Sequence, residues 1–411
     1  MKFPIEIFKE EKNKEKLIEV LKFNLCNNCL GRAFGMLGHG LSNYERGEIL
    51  RKFASELIKK EFKEPKVCEI CNNFFKEKID SLVHQIVKKV EKIEFDTFLI
   101  GTILSDELAK NEEKLFENIG IEFVESIKSE INREVGKRVE KILRKKFDTK
   151  SPDLTLLIDL DTDNIKLQIR SLYVYGEYKK LVRGIPQSKW ICGNCKGKGC
   201  VECEGRGKLY TTSVQEEIEK PLIKKTKAKK SAFHGSGRED IDVRNLGWRP
   251  FVIELIKPIK RKINLEKIQR EINKSKKVKV RKLKLVDKYV IRKIKNERWD
   301  KTYLIVATFE KDIDRKKLKL LKNLMLEPIS QKTPLRVLHR RPDKIRKRKV
   351  KSLSYKILSK KRLQLKIRAE SGLYVKELIT GDEGRTKPSV AEILDNKVKN
   401  LTMDVIKIHV K

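Results

Sequence analysis

The eight cysteines of this chain form four Cys-x-x-Cys pairs, and none lies outside a pair. The pairs are Cys26/Cys29, Cys68/Cys71, Cys192/Cys195 and Cys200/Cys203. Two thiolates three residues apart can bind one tetrahedral Zn²⁺, and two such pairs complete a closed structural site. A disulfide framework is disfavoured because the chain is long and we expect no export signal. A redox role is compatible with one pair but not with four, so the pattern predicts structural zinc.

Sequence proximity favours two separate metal sites over one mixed site. Residues 192–203 lie in CGNCKGKGCVECEGRG, a glycine-rich knuckle similar to those of zinc-binding chaperone domains. Its glycines permit tight turns that direct backbone N–H groups at sulfur. The two N-terminal pairs are separated by a segment that predicts a loop and a helix, and His39 in that loop is not expected to be a ligand. How the four pairs divide between the sites stays open.

The segment FHGSGREDIDVRNLGWRPFVIEL, residues 233–255, is the most suggestive of catalysis. It combines three glycines and three arginines with acidic residues, and it runs directly into an apolar strand. Its Gly-x-Gly does not follow a strand and open a helix, so a dinucleotide fingerprint is not predicted. The P-loop pattern Gly-x-x-x-x-Gly-Lys-Ser/Thr does not occur in the chain.

Positive charge is concentrated in the C-terminal half. The chain has 97 Lys and Arg against 58 Asp and Glu, a formal net charge of +39. Residues 1–220 carry 41 basic and 37 acidic residues, a net of +4, whereas residues 221–411 carry 56 and 21, a net of +35. A solvated Lys/Glu surface of a heat-adapted protein would intersperse both signs. The asymmetry therefore indicates a polyanionic partner, and nucleic acid is the usual one.

The pattern of apolar residues predicts two different regions before residue 186. Residues 1–75 form a helical module that carries the first two Cys pairs. Residues 76–185 combine a strand near 95–104, an amphipathic helix and a hairpin around Thr162-Asp163-Asn164. The apolar positions of that helix are Val124, Ile127, Ile131, Val135, Val139 and Leu143. This order of elements resembles a THUMP-type RNA-binding module.

Residues 186–411 predict an α+β domain with a mixed, largely antiparallel sheet. Alternating strands are expected at 278–290, 303–309 and 363–369, interleaved with basic amphipathic helices, and a helix is expected at 211–230. The cation-rich stretch 333–352 is predicted to be a loop that grips phosphates, rather than one that only faces solvent.

These motifs together resemble the archaeal–eukaryotic tRNA pseudouridine synthases of the Pus-ten family, over essentially the whole chain. GREDIDVRNLGWRPF is similar to the catalytic segment of that family, and the resemblance implies that Asp240 is the catalytic aspartate. Tyr303 in KTYLIVATF resembles the active-site tyrosine. GLYVKEL, with Tyr374, Lys376 and Leu378, resembles a further active-site element, and GDEGRTKPS is similar to the loop that follows it. The knuckle at 192–203 is not a general family feature.

The implied chemistry breaks the C1′–N1 bond of uridine, turns the uracil and joins C1′ to C5. An ionised carboxylate can assist as nucleophile or as base, and Lys376 is its natural cationic partner. Arg238 and Arg244 are alternative candidates for the cationic partner, or they instead support the flipped-out position of the uridine. Tyr303 is expected to stack on that base.

Other side chains of these segments receive more modest expectations. Leu378 could close the apolar side of the pocket, and Tyr374 could belong to the site or to a strand core. We expect Asp242 to point away from Asp240. Asp242 and His234 are both expected to have structural roles.

The resemblance implies a tRNA partner, with uridine 54, 55 or both in the TΨC arm as the target. It also implies structural zinc and no organic cofactor, since atoms are only rearranged. We expect a cytoplasmic monomer that neither enters nor crosses a membrane. One alternative is a non-catalytic zinc-containing RNA-binding or ribosome-assembly protein. A THUMP-bearing tRNA methyltransferase or thiolation enzyme is another, but each would need a phosphate or cofactor loop that this sequence lacks.

Overall fold

The computed structural model describes residues 3–120 and 122–410, which form two compact units. The first unit contains residues up to 170 together with 259–261, and the second contains 171–258 and 262–410. The predicted boundary at residue 185 was therefore too late in the chain. The strand Leu172–Lys180 pairs with two strands of the second unit, and such long-range pairing leaves no local signal. No helix among the described residues is long and apolar enough to cross a membrane.

The first unit is a helical layer on a small sheet. Its helices are α1 (Glu11–Leu21), α2 (Asn27–Arg32), α3 (Asn43–Ile58), α4 (Phe74–Glu77), α5 (Ile79–Val90), α6 (Asp106–Ile119) and α7 (Ile127–Leu143), preceded by a 3-10 helix at Ile5–Lys9. Its strands are β1 (Thr97–Ile103), β2 (Lys146–Phe147), β3 (Leu154–Asp159) and β4 (Asn164–Ile169), in the order β2-β1-β3-β4. Strand β1 pairs in parallel with β2 and β3, and β3 pairs with β4 as an antiparallel hairpin.

The apolar periodicity of the first unit is reproduced in α7. Ile127, Ile131, Val135 and Val139 are fully buried, as amphipathic spacing requires. The helix begins after Ser126, whose side chain accepts a hydrogen bond from the backbone N–H of Ser129, so Val124 lies outside it. One apolar core extends from Phe8 to Ile165. The predicted division at residue 75 therefore does not correspond to a break in the core.

The second unit is built around a large sheet. Its strands are β5 (Leu172–Lys180), β6 (Lys230–Gly235), β7 (Arg244–Ile256), β8 (Val278–Val286), β9 (Lys301–Phe309), β10 (Ile329–Gln331), β11 (Arg346–Arg348), β12 (Val350–Ser359), β13 (Arg362–Ala369), β14 (Thr386–Lys387) and β15 (Val398–Ile408). Its helices are α8 (Val214–Thr226), α9 (Leu265–Ile272), α10 (Tyr289–Asn296), α11 (Val375–Thr380) and α12 (Val390–Leu394). Short 3-10 helices lie at Lys317–Met325, Leu335–Arg340 and Asp382–Gly384.

The main sheet has the order β12-β13-β9-β15-β7-β5-β8, with β6 paired to β7, and a smaller sheet has the order β11-β10-β14. All of these pairings are antiparallel except that of β7 with β15. The predicted mixed, largely antiparallel α+β domain is confirmed. The strand predicted at 278–290 ends at Val286, where α10 follows, and α8 is shorter than the predicted 211–230. The stretch 333–352 is not one loop but contains a 3-10 helix, β11 and the start of β12.

The parallel contact between β7 and β15 joins two separate apolar cores of the second unit. It covers only the pairs Asp404↔Arg244 and Val405↔Asn245, so it supplies few ladder hydrogen bonds. Asp404 reinforces it: its buried carboxylate accepts hydrogen bonds from Arg244 Nε at 3.0 Å and Nη2 at 2.6 Å, and from Arg183 Nη2 at 2.5 Å. Burial alone would raise the pKa of Asp404, but both guanidinium groups lower it overall.

We expect Asp404→Ala to lower the free energy of unfolding of the second unit by about 2 kcal/mol, the range for hydrogen bonds to charged groups. Urea unfolding followed by tryptophan fluorescence reports on this unit, because Trp190, Trp248 and Trp299 all lie in it. Because the pKa of Asp404 is lowered by folding, its contribution is present above the unfolded pKa and is lost as the pH falls through the folded one. The exposed Glu310→Ala is the control, and equal unfolding midpoints for both variants would contradict the role of Asp404.

Candidate active site

A cavity of about 710 Å³ opens in the second unit where the two halves of the large sheet meet. Small-molecule sites are typically roughly 300–1,000 Å³ in volume. Its walls come from the turn before β7, from β7, β9 and β15, from the 3-10 helix Leu335–Arg340, from β11 and from the start of α11. Five of the predicted site residues line it together: Arg238, Asp240, Tyr303, Tyr374 and Lys376.

Two cations flank the carboxylate of Asp240. Lys376 Nζ lies 3.3 Å from Oδ2, and Arg336 Nη1 lies 3.1 Å from the same oxygen and 3.2 Å from Oδ1. About a third of the Asp240 side chain is exposed, so it faces the cavity. The sequence indicated Lys376 but not Arg336, which is one cation among many in the stretch 333–352. Spacing alone cannot single out such a residue.

Arg336 is held in place by a second acidic side chain. Its Nε donates to Glu377 Oε1 at 2.6 Å, and the Glu377 side chain is almost fully buried on α11. Burial alone would lower the pKa of Arg336, but Glu377 and Asp240 raise it overall, so the guanidinium stays charged. One residue of α11, Lys376, thus contacts Asp240 directly, and its neighbour Glu377 fixes the other cation.

Asp242 also belongs to the site, so the prediction that it points away from Asp240 was wrong. Both of its carboxylate oxygens lie 2.8 Å from Lys376 Nζ. Residues two apart in an extended chain share a face, and here the segment turns, with Val243 N donating to Asp240 O at 3.1 Å. Burial raises the pKa of Asp242, but the bond to Lys376 lowers it overall. Lys376 therefore bridges the two aspartates.

Buried polar groups fix the turn that carries Asp240. Glu239 is buried against Arg249 at 3.0 Å, with both side chains fully inaccessible. The hydroxyl of Tyr178 donates to the Glu239 carboxylate at 2.9 Å. Lys180 Nζ donates to Asp240 O at 3.0 Å and to two further carbonyls. Sequence reasoning missed these residues because Tyr178 and Lys180 lie far upstream in β5, without a motif.

Two tyrosines form part of the cavity wall. Burial raises the pKa of Tyr303 to about 12, with Arg249 opposing and Asp240 adding to the shift, so its phenol is neutral near pH 7. Tyr374 is the N-cap residue of α11 and not part of a strand. Its backbone exchanges hydrogen bonds of 2.8 and 2.9 Å with the Gln331 side chain, and its hydroxyl accepts one from Arg341 Nη1 at 2.9 Å. Both tyrosines line the cavity, and the guanidinium of Arg346 lies 6.0 Å from the ring centroid of Tyr374.

Several other basic residues on the cavity wall have no carboxylate partner in the described parts of the chain. Arg341, Arg346 and Arg348 line the cavity and take part in no ion pair there. Arg238 lies over the ring of Trp190, with 5.1 Å between its guanidinium carbon and the ring centroid. These groups leave the cavity wall with a surplus of positive charge.

Two predicted residues do not reach the cavity. Arg244 is bound to Asp404, at the contact between β7 and β15. Leu378 is fully buried in the apolar core. It does not share the cavity-facing side of α11 with Lys376, because side chains two residues apart on a helix point in different directions. The apolar residues that line the cavity are instead Ile241, Val243, Val337, Leu373, Val375, Met403 and Val405. His234 lies on β6, 3.5 Å from Glu254 and outside the described cavity wall, as predicted for a structural residue.

The eight cysteines divide into two groups of four, as predicted. Cys26, Cys29, Cys68 and Cys71 form one group, and Cys192, Cys195, Cys200 and Cys203 form the other, with the four sulfur atoms of each within 4.8 Å of one another. Sulfur–sulfur distances of 3.6 Å in the first group and 3.7–3.8 Å in the second match the roughly 3.8 Å edge of a tetrahedron with ~2.3 Å metal–sulfur bonds. Each group can therefore hold one tetrahedral metal ion.

Comparison with known proteins assigns the family. The model described as "Pus10, C-terminal" matches residues 173–409, which include the whole cavity wall. The model described as "Pus10 THUMP domain, archaeal" matches residues 82–159 of the first unit, which confirms the THUMP prediction. This chain belongs to the Pus10 family.

Several relatives in that family match over nearly the full length, and each is named tRNA pseudouridine synthase Pus10. The relative from Methanothrix thermoacetophila is 38% identical, with 93% of this chain and 91% of the relative covered. The relative from Methanocaldococcus jannaschii is 41% identical, with coverages of 95% and 93%. The relative from Archaeoglobus fulgidus is 38% identical, with coverages of 94% and 99%. The Pus10 C-terminal region thus carries the cavity, and the THUMP region lies in a separate unit.

We expect Glu239→Gln to lower the free energy of unfolding of the second unit by about 3 kcal/mol, because Arg249 would then be a buried charge without a counterion. The double variant Glu239→Gln/Arg249→Met should lose less than the sum of the two single variants. Urea unfolding of all three, followed by tryptophan fluorescence, measures this coupling. If each single variant loses less than about 1 kcal/mol, and the two losses add up in the double variant, the pair does not anchor the turn.

Proposed function

We propose that the second unit isomerises uridine to pseudouridine in tRNA, with Asp240 as the catalytic carboxylate. The observation that carries the proposal is the placement of this carboxylate between Lys376 and Arg336, at 3.3 and 3.1 Å, in a cavity that Tyr303 also lines. Membership of a family whose relatives are named tRNA pseudouridine synthase supports the activity. A non-catalytic RNA-binding protein would share the charge and the cysteines, but it would not require this paired carboxylate.

The reaction rearranges atoms within one nucleotide. The C1′–N1 bond breaks with its electron pair on the uracil, the uracil turns, and C5 forms a bond to C1′. The proton on C5 is then lost, and N1 gains one. Asp240 assists as nucleophile at C1′ or as base at the sugar, and in either role it must be ionised, which Lys376 and Arg336 favour. No oxidant, reductant or organic cofactor is consumed.

The uridine must leave its base stack before the carboxylate can reach the ribose. Stacking on an aromatic ring offsets this unstacking by ~1–3 kcal/mol per base, and the ring of Tyr303 is the one beside Asp240. Leu373 and Val375 offer the everted base apolar contact. We place the target in the TΨC arm, at position 54, 55 or both, and we propose that the chain acts as a monomer.

The expected partner is tRNA because the unpaired arginines of the cavity wall suit its phosphates. Replacing Arg341 and Arg346 together with Gln should weaken tRNA binding and lower the slope of log affinity against log salt by about 1–2, since each phosphate contact contributes roughly 0.7–0.9. Filter binding between 50 and 200 mM salt measures the slope. The pair Lys319→Gln/Lys322→Gln, exposed and outside the cavity wall, is the control. An unchanged slope in the arginine variant would remove these residues from the interface.

We further propose that both cysteine groups bind structural Zn²⁺, which is the common choice of four thiolates at tetrahedral spacing. Zinc would fix the chain around each group through the sulfur atoms, several of which also accept backbone N–H groups. In the second group, Gly199 N and Gly207 N donate to sulfur at 3.2 and 3.1 Å.

Elemental analysis of the purified chain should find two zinc ions per molecule. Cys29→Ser and Cys203→Ser should each leave one, because each removes one of the four ligands of a different site. The two variants serve as controls for one another. A zinc content that neither substitution changes would contradict both sites, and stoichiometric iron instead of zinc would contradict the choice of metal.

Asp240→Asn tests the activity itself. We expect it to lower the single-turnover rate of tritium release from tRNA labelled at uridine C5 by at least ~10³-fold, as loss of a reacting group commonly does. Its affinity for tRNA should stay within about threefold of the unaltered chain. The exposed Glu310→Gln is the matched control. Equal rates for Asp240→Asn and the unaltered chain would exclude Asp240 as the catalytic carboxylate, and no release by the unaltered chain would exclude the activity.

A further inference from the structure

In the second unit Lys180 is fully buried and Lys301 is half-buried, and their ammonium groups are hydrogen-bonded to different extents. Burial lowers the pKa of both Lys180 and Lys301 to about 8. Lys180 Nζ donates to three carbonyl oxygens, those of Ile185, Asp240 and Ile241, at 3.0–3.2 Å. An ammonium group has three N–H donors, so Lys180 is saturated within the protein. Its role in the fold is to hold the turn that carries Asp240.

Lys301 has a different set of partners. Its Nζ donates to one acceptor in the described chain, the carbonyl oxygen of Trp299 at 3.2 Å, and forms no ion pair there. It lies on β9 two residues before Tyr303, so both side chains are on the same face of the strand, and both line the cavity. Two N–H donors of Lys301 therefore have no acceptor among residues 3–120 and 122–410.

The charged groups near Lys301 act in opposite directions on its pKa: Arg249 lowers it, and Asp300, the preceding residue, raises it. Gly237 lies at the start of the turn that carries Asp240. A Cβ atom placed on it would lie 3.9 Å from Lys301 Nζ and 3.2 Å from Arg249 Nη1, so both cationic side chains lie close to this glycine. Arg249 is neutralised by Glu239, whereas Lys301 forms no ion pair within the part of the chain that the structure describes; the neighbouring Asp300 pairs with Lys351 and Arg368 instead. Lys301 is half-buried. Partly desolvating an ammonium group whose other two donors have no acceptor in the described chain costs free energy that the fold does not offset. A ligand in the cavity can offset it.

We propose that Lys301 donates hydrogen bonds to a carbonyl oxygen of the everted uracil and stabilises the negative charge that the uracil carries after the C1′–N1 bond breaks. This inference rests on the proposed function. The electron pair of the broken bond is delocalised over N1, O2 and O4 of the uracil. The ammonium keeps its proton throughout, and the negative charge disappears when C5 joins C1′ and the C5 proton moves to N1.

Such a donor acts more strongly on the separated state than on bound uridine. In uridine the carbonyl oxygens carry only partial charge, whereas the detached uracil is an anion in a partly desolvated cavity. A donor already placed there stabilises developing charge without reorganisation. We therefore expect Lys301 to affect the rate of the chemical step much more than the affinity for tRNA.

The test compares Lys301→Met, Lys301→Arg and Lys180→Met in the full chain. We expect Lys301→Met to lower the single-turnover rate of tritium release by ~10²-fold, the effect of losing one such donor in other enzymes. Its affinity for tRNA should stay within about threefold, and Lys301→Arg should recover part of the rate because it restores a charged donor. In urea unfolding, Lys301→Met should be at least as stable as the unaltered chain, since it removes a buried charge. Lys180→Met should be less stable, because three carbonyls lose their donor.

Each possible result of this test supports or overturns the role proposed for Lys301. A rate within about threefold of the unaltered chain, in a folded Lys301→Met, overturns the inference while leaving the proposed function intact. A Lys301→Met that fails to fold, or that loses as much stability as Lys180→Met, also overturns it, because Lys301 would then act in the fold. Absence of tritium release by the unaltered chain rejects the proposed function instead.

Discussion

Asp240 forms ion pairs with both Lys376 and Arg336, and these pairs organise the candidate active site. The three side chains come from the turn before β7, from α11 and from a 3-10 helix, which are distant in sequence. Charged groups on flexible segments would gain little from pairing in water. Here each partner is fixed by other contacts, so the carboxylate has a defined position toward the cavity.

The supporting contacts explain why so many buried polar groups surround the site. The buried pair Glu239–Arg249 anchors the turn that carries Asp240, and Lys180 donates hydrogen bonds to carbonyl oxygens of that turn. Glu377 holds Arg336 through an ion pair. Asp404 joins the two halves of the sheet close to Met403 and Val405, which line the cavity. These carboxylates each have a cationic partner. Arg341 and Lys301, which form no ion pair within the described ranges, are on the cavity wall, where an RNA phosphate or a uracil anion can supply the missing charge.

Local patterns predicted much of this structure. The pairing of cysteines, the amphipathic spacing in α7 and the alternation in β9 and β13 depend on nearby residues, and each is reproduced. Motif resemblance located Asp240, Tyr303, Tyr374 and Lys376, which the fold brings together. Arg336 and the Tyr178–Glu239 bond could not be predicted, because they result from tertiary packing without a sequence spacing. Leu378 was misassigned because its segment forms a helix, in which alternate residues diverge.

We propose that Asp240 contacts the ribose of one everted uridine inside the cavity. The most direct measurement is the structure of the full chain bound to a tRNA that carries 5-fluorouridine at the target position. We expect a carboxylate oxygen of Asp240 to lie within about 3.5 Å of C1′ of that nucleotide, the reach of a reacting pair. A target nucleotide bound elsewhere on the protein, with its ribose out of reach of Asp240, would contradict it.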